Sequence, residues 1–432
     1  MRNFRKISSL AVMPVAFFAY SGAGHASAFY LQEQSVKGAG RAFSGEVADQ
    51  GPESLWWNPA SIADQQGCAG SLGVSGILPK GTVVNQGTVI VRPGQPARAV
   101  GGDARSANPI RNGVLPSGAI SCAITPRLSI GLAATSPFSF TTDYPLTSWV
   151  RYTADRTKLR TYDLQPSVAF MVTPQIAIGA ALNAEYSDAQ LSNALPNLSP
   201  LLADGHQELK GNGWDFGYTV GAQFRTGPIT LAASYKSKIE HNLKGSVTTT
   251  GLLGPLAAQN SRIATDARFS TPWQVTFGAR AAVSPKVTLN AQAVRSGWSE
   301  FDAIRIGAPL NVAIPEGYHD TWSYAGGIDV AVAPQLTLRA GVQHDDSPTS
   351  DGDRDARVPD ADRWNFATGA SIAVTKAFTL DTAVSYIMFK NAKIDRLTAA
   401  YAGTAAQTPI LVNGELQKAS AVVLSLGGRL RF

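Results

Sequence analysis

Residues 175–186 read QIAIGAALNAEY. Ile176, Ile178, Ala180, Leu182, Ala184 and Tyr186 fall on one face of an extended chain, and Gln175, Ala177, Gly179, Ala181, Asn183 and Glu185 on the other. Alternation of this strictness is the period of a half-exposed strand, not of a helix. The pattern returns at 229–239, 286–293, 335–343 and 378–388. A tilted strand needs about nine to eleven residues to cross a bilayer core, whereas soluble strands usually have about five or six. These runs match the longer class.

Punctuation confirms the reading. Short turns stand at Thr125-Pro126-Arg127, Thr173-Pro174-Gln175, Gly227-Pro228, Ser284-Pro285-Lys286, Ala333-Pro334-Gln335 and Thr375-Lys376-Ala377. Proline lacks an N–H for a central strand and so ends the run at five of these six turns. Between two such turns lie an outgoing strand, a long polar loop and a returning strand. Tight turns at one end and long loops at the other are the pattern of an outer-membrane barrel. Strand starts near residues 67, 113, 128, 159, 175, 212, 229, 266, 286, 321, 335, 362, 378 and 419 predict an all-β, 14-stranded antiparallel transmembrane β-barrel over 67–432. Closure leaves no sheet edge facing lipid.

Composition agrees. The chain has 432 residues, 44% hydrophobic and 16% charged, which is too apolar for disorder and too weakly charged for a typical soluble domain. Arg2, Arg5 and Lys6, the apolar run from Ile7 to Tyr20 and the Ala26-Ser27-Ala28 cleavage site mark residues 1–28 as an export signal. Its removal lowers the net charge from +6 to +3, so the basic balance belongs largely to the discarded segment. No basic run or binding motif points to nucleic acid. The expected location is the outer membrane of a Gram-negative bacterium. Trp149, Trp214, Trp273, Trp298, Trp322 and Trp364 lie in long loops or at loop-side strand ends, as an aromatic girdle requires. The last strand ends in Phe432, which resembles the signal read by the barrel assembly machinery.

Residues 29–66 do not alternate. They are rich in small residues and run through Trp56-Trp57-Asn58-Pro59-Ala60. Fourteen strands enclose a bore wider than side chains fill, so a plug is expected there. The stretch Gln34–Arg41, then Ala42-Phe43-Ser44-Gly45-Glu46, then Asn58-Pro59-Ala60, resembles the N-terminal hatch of the FadL-type outer-membrane transporters of long-chain fatty acids and aromatic hydrocarbons. Similar matches follow in order at 209–218, 233–237 with 243–245, 298–301, 345–348 and 359–364.

The resemblance implies passive transport of a hydrophobic small molecule past lipopolysaccharide: capture by outer loops, binding in the lumen, and lateral release at a kink in the third strand. It places Ser136, Phe138 and Phe140 at an inner pocket and Gly221 beside the lateral opening. Leu198, Leu201, Leu202, Leu252 and Leu253 are unexpectedly apolar for outer loops; they either bind ligand or pack on one another. Asn193 and Ile314 stand where the fatty acid carriers hold basic residues. Lys236 and Lys238, read as lumen-facing on the seventh strand, are substitutes, with Arg156, Lys158 and Arg160 on a solvated loop face. Without a cation, the cargo would be a neutral aromatic hydrocarbon. A non-transporting surface barrel, an adhesin or structural protein, is the rival of a different class.

Other chemistry is poorly supported. None of the four later histidines sits in a catalytic or metal motif, so no enzyme, metal or cofactor is expected. Asp351, Asp353 and Asp355 have calcium-loop spacing, but Ala356 stands where that loop needs glycine. Cys68 opens the first strand and Cys122 closes the second at the same end, so they are either disulfide-bonded or two buried small residues.

Overall fold

A computed structural model describes residues 28–432. The export signal therefore lies, apart from Ala28, outside the described residues. Fourteen strands form the barrel. They are β1 Cys68–Asn85, β2 Gly113–Thr125, β3 Leu128–Thr135, β4 Arg156–Met171, β5 Ile176–Leu195, β6 Gly205–Thr226, β7 Ile229–Lys236, β8 Trp273–Ser284, β9 Val287–Gly297, β10 Thr321–Ala333, β11 Leu336–Asp345, β12 Arg363–Ala373, β13 Phe378–Phe389 and β14 Thr408–Arg431. Each pairs antiparallel with the next, and β14 closes on β1 from Ala69↔Arg431 to Asn85↔Gly414.

Side chains alternate as the period-two pattern requires. On β4, Tyr162, Leu164, Val168 and Phe170 are exposed toward lipid, while Thr161, Asp163, Gln165 and Ser167 are buried inside. Several strands run well beyond the apolar band. β5, β6 and β14 have 20, 22 and 24 residues. Much of 191–211, read from the sequence as an outer loop, is therefore strand, and so is half of 246–265, where Ile239–Thr250 and Ser261–Thr271 form a hairpin-like arm. Arg156, Lys158 and Arg160 likewise lie on β4 rather than in a loop.

The aromatic belt is real but smaller than the tryptophan positions suggest. Tyr162, Trp214, Tyr218, Tyr324, Trp364 and Tyr386 are exposed on the outer wall. Trp149 and Trp298 are fully buried and belong to the interior, because the loops carrying them fold back into the mouth.

Cys68 and Cys122 are opposite each other in the β1–β2 ladder and form a disulfide. Beside it, Cys68 and Phe432 exchange backbone hydrogen bonds of 2.8 and 2.9 Å, so the cross-link stands at the seam where the barrel closes. The bridged cysteines are 54 residues apart, a loop whose closure is worth about 4 kcal/mol in the chain-entropy account. Changing both cysteines to serine is expected to lower the temperature at which the folded band is lost on a denaturing gel. An unchanged temperature would assign seam stability to the ladder alone.

Residues 29–66 fill the bore. Short helical turns at Val36–Ala39, Glu46–Ala48, Pro52–Ser54 and Pro59–Ile62 touch the wall on all sides. The last is capped by Asn58, whose side chain accepts from Ala60 N at 2.9 Å, with Pro59 in the first helical position. The plug approaches the wall closely where glycines face inward. A Cβ on Gly341 would lie 2.0 Å from Arg41 O, and one on Gly179 would lie 2.4 Å from Ala60 N.

Candidate functional site

The third strand is broken. β3 ends at Thr135, opposite Asp163 of β4, and the chain resumes pairing with β4 at Ser139, opposite Arg160. That is four steps on one strand against three on its partner. The extra residue is a bulge, and it lies at Ser136-Pro137-Phe138, where proline cannot donate. The resumed segment, Ser139–Asp143, pairs with β4 but not with β2. On the facing side, the β2 edge from Gly113 to Ser117 has no strand partner. Pairing returns only above, at the Ile110↔Thr142 bridge. The result is a bounded window in the wall between β2 and the third strand.

The plug completes the broken edge. Leu31 N donates to Pro137 O at 2.8 Å, and Tyr30 bridges Phe138. The Gln34 amide imitates a strand residue: its Nε2 donates to Ser136 O at 3.0 Å and its Oε1 accepts from Ser136 N at 3.1 Å. Backbone groups freed by the bulge are thus satisfied from inside the barrel.

A cavity of about 520 Å³ opens at this window. It is lined from the plug by residues 29–33, from the lumen by Ser136 and Phe140, and from the outer wall by Val114 and Tyr162. This volume is within the range of ligand sites, which is about 300–1,000 Å³. A second, almost wholly apolar chamber of about 70 Å³ lies beside it under the outer loops. Leu159, Leu191, Leu209, Leu243, Phe269 and Phe301 are among its walls. It has room for about two waters' share of liquid volume, so a ligand must part its walls to occupy it. Phe29 and Phe140 line both spaces. The Phe29 ring packs edge-on against Phe138, Trp298 and Phe301 at 5.9, 5.0 and 5.4 Å.

The chamber's charges are all engaged. Lys158 Nζ is 2.5 Å from Asp188, and Arg357 Nη1 is 2.9 Å from Asp355. Glu316 lies in the wall near Arg396. Burial, reinforced by Asp355 and opposed by Arg396, pushes its carboxyl up to about 7.

The residues expected at the site separate into groups. Ser136 and Phe140 line the window cavity, whereas Phe138 is buried in the aromatic cluster beneath it. Lys236 faces the lumen but lines neither space; its ammonium stands 4.4 Å over the Trp56 ring. Lys238 does not face the lumen. Pairing breaks at Ser237, and Lys238 binds Glu240 and Glu300 at 2.8 and 3.0 Å on the outer side. Leu198 and Leu252 pack with Leu195 and Leu256, while Leu201 at 94%, Leu253 at 45% and Leu202 at 40% remain exposed. Gly221 is not on the window; it faces the plug, and a Cβ there would meet Asn58 Oδ1 at 2.1 Å. Asn193 lines neither space, and Ile314 packs against the aromatic cluster. The partnership of Gln34 with Ser136 went unread because nothing in local spacing brings residues 102 apart together.

Charges tie the plug to the opposite wall. Arg41, fully buried, binds Glu46 and Asp49 at 2.5 Å each and reaches Asp329 of β10 at 3.4 Å. Arg280 of β8 spans Asp49 and Asp329, and Arg429 of β14 joins Glu53 to Asp381. Toward β3–β5 the contacts are largely apolar, with Leu55, Ala60 and Ile62 against Ala133, Ala169 and Ala177, and Gln165 Nε2 donates to Leu55 O at 3.0 Å.

The sequence profile of the outer membrane protein transport proteins (OMPP1/FadL/TodX) matches residues 17–432. The chain belongs to that family. The family comprises outer-membrane transport channels of Gram-negative bacteria, not enzymes. The long-chain fatty acid transport protein of Escherichia coli K12 is 24% identical over 429 residues, covering 89% of this chain and 93% of that one. Outer membrane protein P1 of Haemophilus influenzae is 22% identical, covering 88% and 90%. Among solved structures, a Pseudomonas aeruginosa FadL homologue superposes with a TM-score of 0.82 at 23% identity, covering 94% of this chain and all of that one. The Ralstonia pickettii toluene transporter TbuX gives 0.66 at 16%, covering 92% and 98%.

Proposed function

We propose that this FadL-family barrel carries long-chain fatty acids passively across the lipopolysaccharide leaflet and releases them sideways into the bilayer. The observation that carries the reading is the window cavity, which joins plug residues to lipid-facing Val114 and Tyr162 through the break in the third strand. Three steps follow. The exposed leucines Leu201, Leu202 and Leu253 capture an apolar chain at the outer surface. The chain enters the apolar chamber by displacing its walls. It then passes Phe29 and Phe140 into the window. Downward passage is disfavoured by the buried ion network, because separating a buried pair leaves a charge without a partner at about 3–5 kcal/mol. Fatty acids are preferred as cargo because the Escherichia coli relative carries that name and the FadL homologue superposes better than the toluene transporter. Phe432, at the seam with Cys68, is the residue we assign to the assembly machinery.

The test is oleate uptake in cells whose own carrier is deleted, with this barrel supplied at verified surface levels. No uptake from an assembled barrel would remove oleate as cargo. Neutral aromatic hydrocarbon is the second reading, favoured by a chamber whose cations are already paired. Failure of both would leave the non-transporting surface barrel.

Phe29→Ala is expected to merge the two cavities. Initial uptake of a small neutral probe such as toluene should rise about two- to threefold at equal surface level, as a ring in contact with three others is removed. An unchanged rate would mean that Phe29 does not separate the spaces.

A further inference from the structure

We propose that the window carries an anion-reading site of its own, in which Arg160, flanked by Lys80 and Arg111, receives the carboxylate of a long-chain amphiphile as its tail passes out between β2 and the third strand. The inference rests on the transport reading above and assigns where the cargo's charge is held.

The inner chamber is poorly suited to a carboxylate. Its two cations are ion-paired, and its wall includes the acidic Glu316. A buried carboxylate with no cation is costly. The window cavity is different. Arg160, Lys80 and Arg111 all line it. Among the described residues no carboxylate lies within 4.0 Å of Arg160 or Lys80. Asp188 stands across the ladder from Arg160 but is held by Lys158. The cavity's own carboxylates, Glu33 and Asp360, stand on its plug side with Arg363, away from Arg160 and Lys80, and the acid above them, Asp143, is shared by Arg111 at 3.1 Å and Arg156 at 4.0 Å. Positive charge therefore exceeds negative around the opening.

The height of these cations matches the bilayer. Arg160 lies two residues above Tyr162 on the outward face of β4, and Leu164, Val168 and Phe170 continue below it. Lys80 sits in the same way above Leu78, Val74 and Leu72 on β1. The cations thus mark the level where the apolar band ends and the interface begins. A single-chain acid that slides tail-first into hydrocarbon brings its carboxylate to rest at that level. Arginine suits the task because its fork presents paired donors to a carboxylate while its stem lies along apolar surface.

The test compares oleate with oleyl alcohol, which has the same chain without the charge, in the carrier-deleted cells. Arg160→Gln combined with Lys80→Gln is expected to slow oleate uptake about five- to tenfold, the effect of losing a charge-assisted contact. Oleyl alcohol uptake should stay within about twofold, and Arg160→Lys with Lys80 intact, which keeps the charge but loses the fork, should give oleate uptake between the parent's and the double variant's. Both residues point outward from the plug, so surface level and folded gel mobility should be unchanged. Equal slowing of both probes, or none, would overturn the proposal. A parent barrel that carries the alcohol but not oleate would overturn it while leaving transport standing. A parent that carries neither would remove the transport reading and this one with it. If the variants lose a co-purified phosphorylated lipid but keep oleate uptake, the cations serve outer-leaflet headgroups and the proposal fails.

Discussion

Deleting Pro137 is expected to abolish oleate uptake, by tenfold or more, from a barrel that still reaches the membrane and keeps its folded mobility. The reason is a count. From Thr135 to Ser139 the third strand takes four steps where β4 takes three from Asp163 to Arg160. Removing one residue equalises the two. It also restores inside–outside alternation across the break, because Thr135 and Phe140 both face inward and lie an odd number of residues apart. A continuous third strand would meet the free β2 edge from Gly113 to Ser117 and close the window. The deletion removes the carbonyl that binds Leu31 N, so the plug loses one contact while the bore stays filled. Pro137→Ala is the companion variant. It keeps the extra residue, and with it the bulge, and should retain most uptake. A deletion variant that transports normally would show that cargo does not leave through the window.

Gly221→Glu should also cost more than tenfold in uptake, by a different route. Gly221 faces the plug, and any Cβ there would sit 2.1 Å from Asn58 Oδ1, 2.8 Å from Asn58 Cγ and 3.3 Å from Ala233 O. Asn58 cannot yield freely. Its Oδ1 caps the turn Pro59–Ile62, and its Nδ2 donates to Val47 O at 2.9 Å and Ala222 O at 3.3 Å. A larger side chain drives that turn toward β3, where Leu55 and Ile62 already crowd Gly131. The segment 29–33 that floors the window cavity moves with it. Overpacking of this kind costs about 1–3 kcal/mol, enough to shift a plug without unfolding a barrel. Gly221→Ala should show a milder form of the defect, and adding Asn58→Gly should relieve it, a coupling that distant sites would not show. Full uptake by Gly221→Glu at normal surface level would end this account of how the plug is coupled to the window.

The two variants probe features of unequal visibility in the sequence. Alternation at 175–186 and its repeats revealed which residues face lipid, because membrane and lumen select opposite chemistry at every second position. Proline at five of the six tight turns revealed where strands end. The cysteine pair was legible as a juxtaposition because both residues sit at the same end of adjacent strands. Lys238 was misassigned because period two holds only within an unbroken ladder, and one irregular residue at Ser237 reverses every face beyond it. Trp149 and Trp298 were misassigned because a loop tryptophan reads the same whether its loop stays outside or folds into the mouth.

By itself, then, the chain determined an exported, closed, fourteen-stranded barrel with a non-alternating segment for its bore, since these follow from local periodicity and the demand that no backbone group face lipid unpaired. Tertiary structure alone decided that Gln34 would stand in for a missing strand at Ser136, that Asn58 would occupy the hollow of Gly221, and that Arg160 would stand at a window with no carboxylate of the described residues within 4.0 Å. Those outcomes depend on which distant segments meet and in what register, and neither spacing nor composition encodes that meeting.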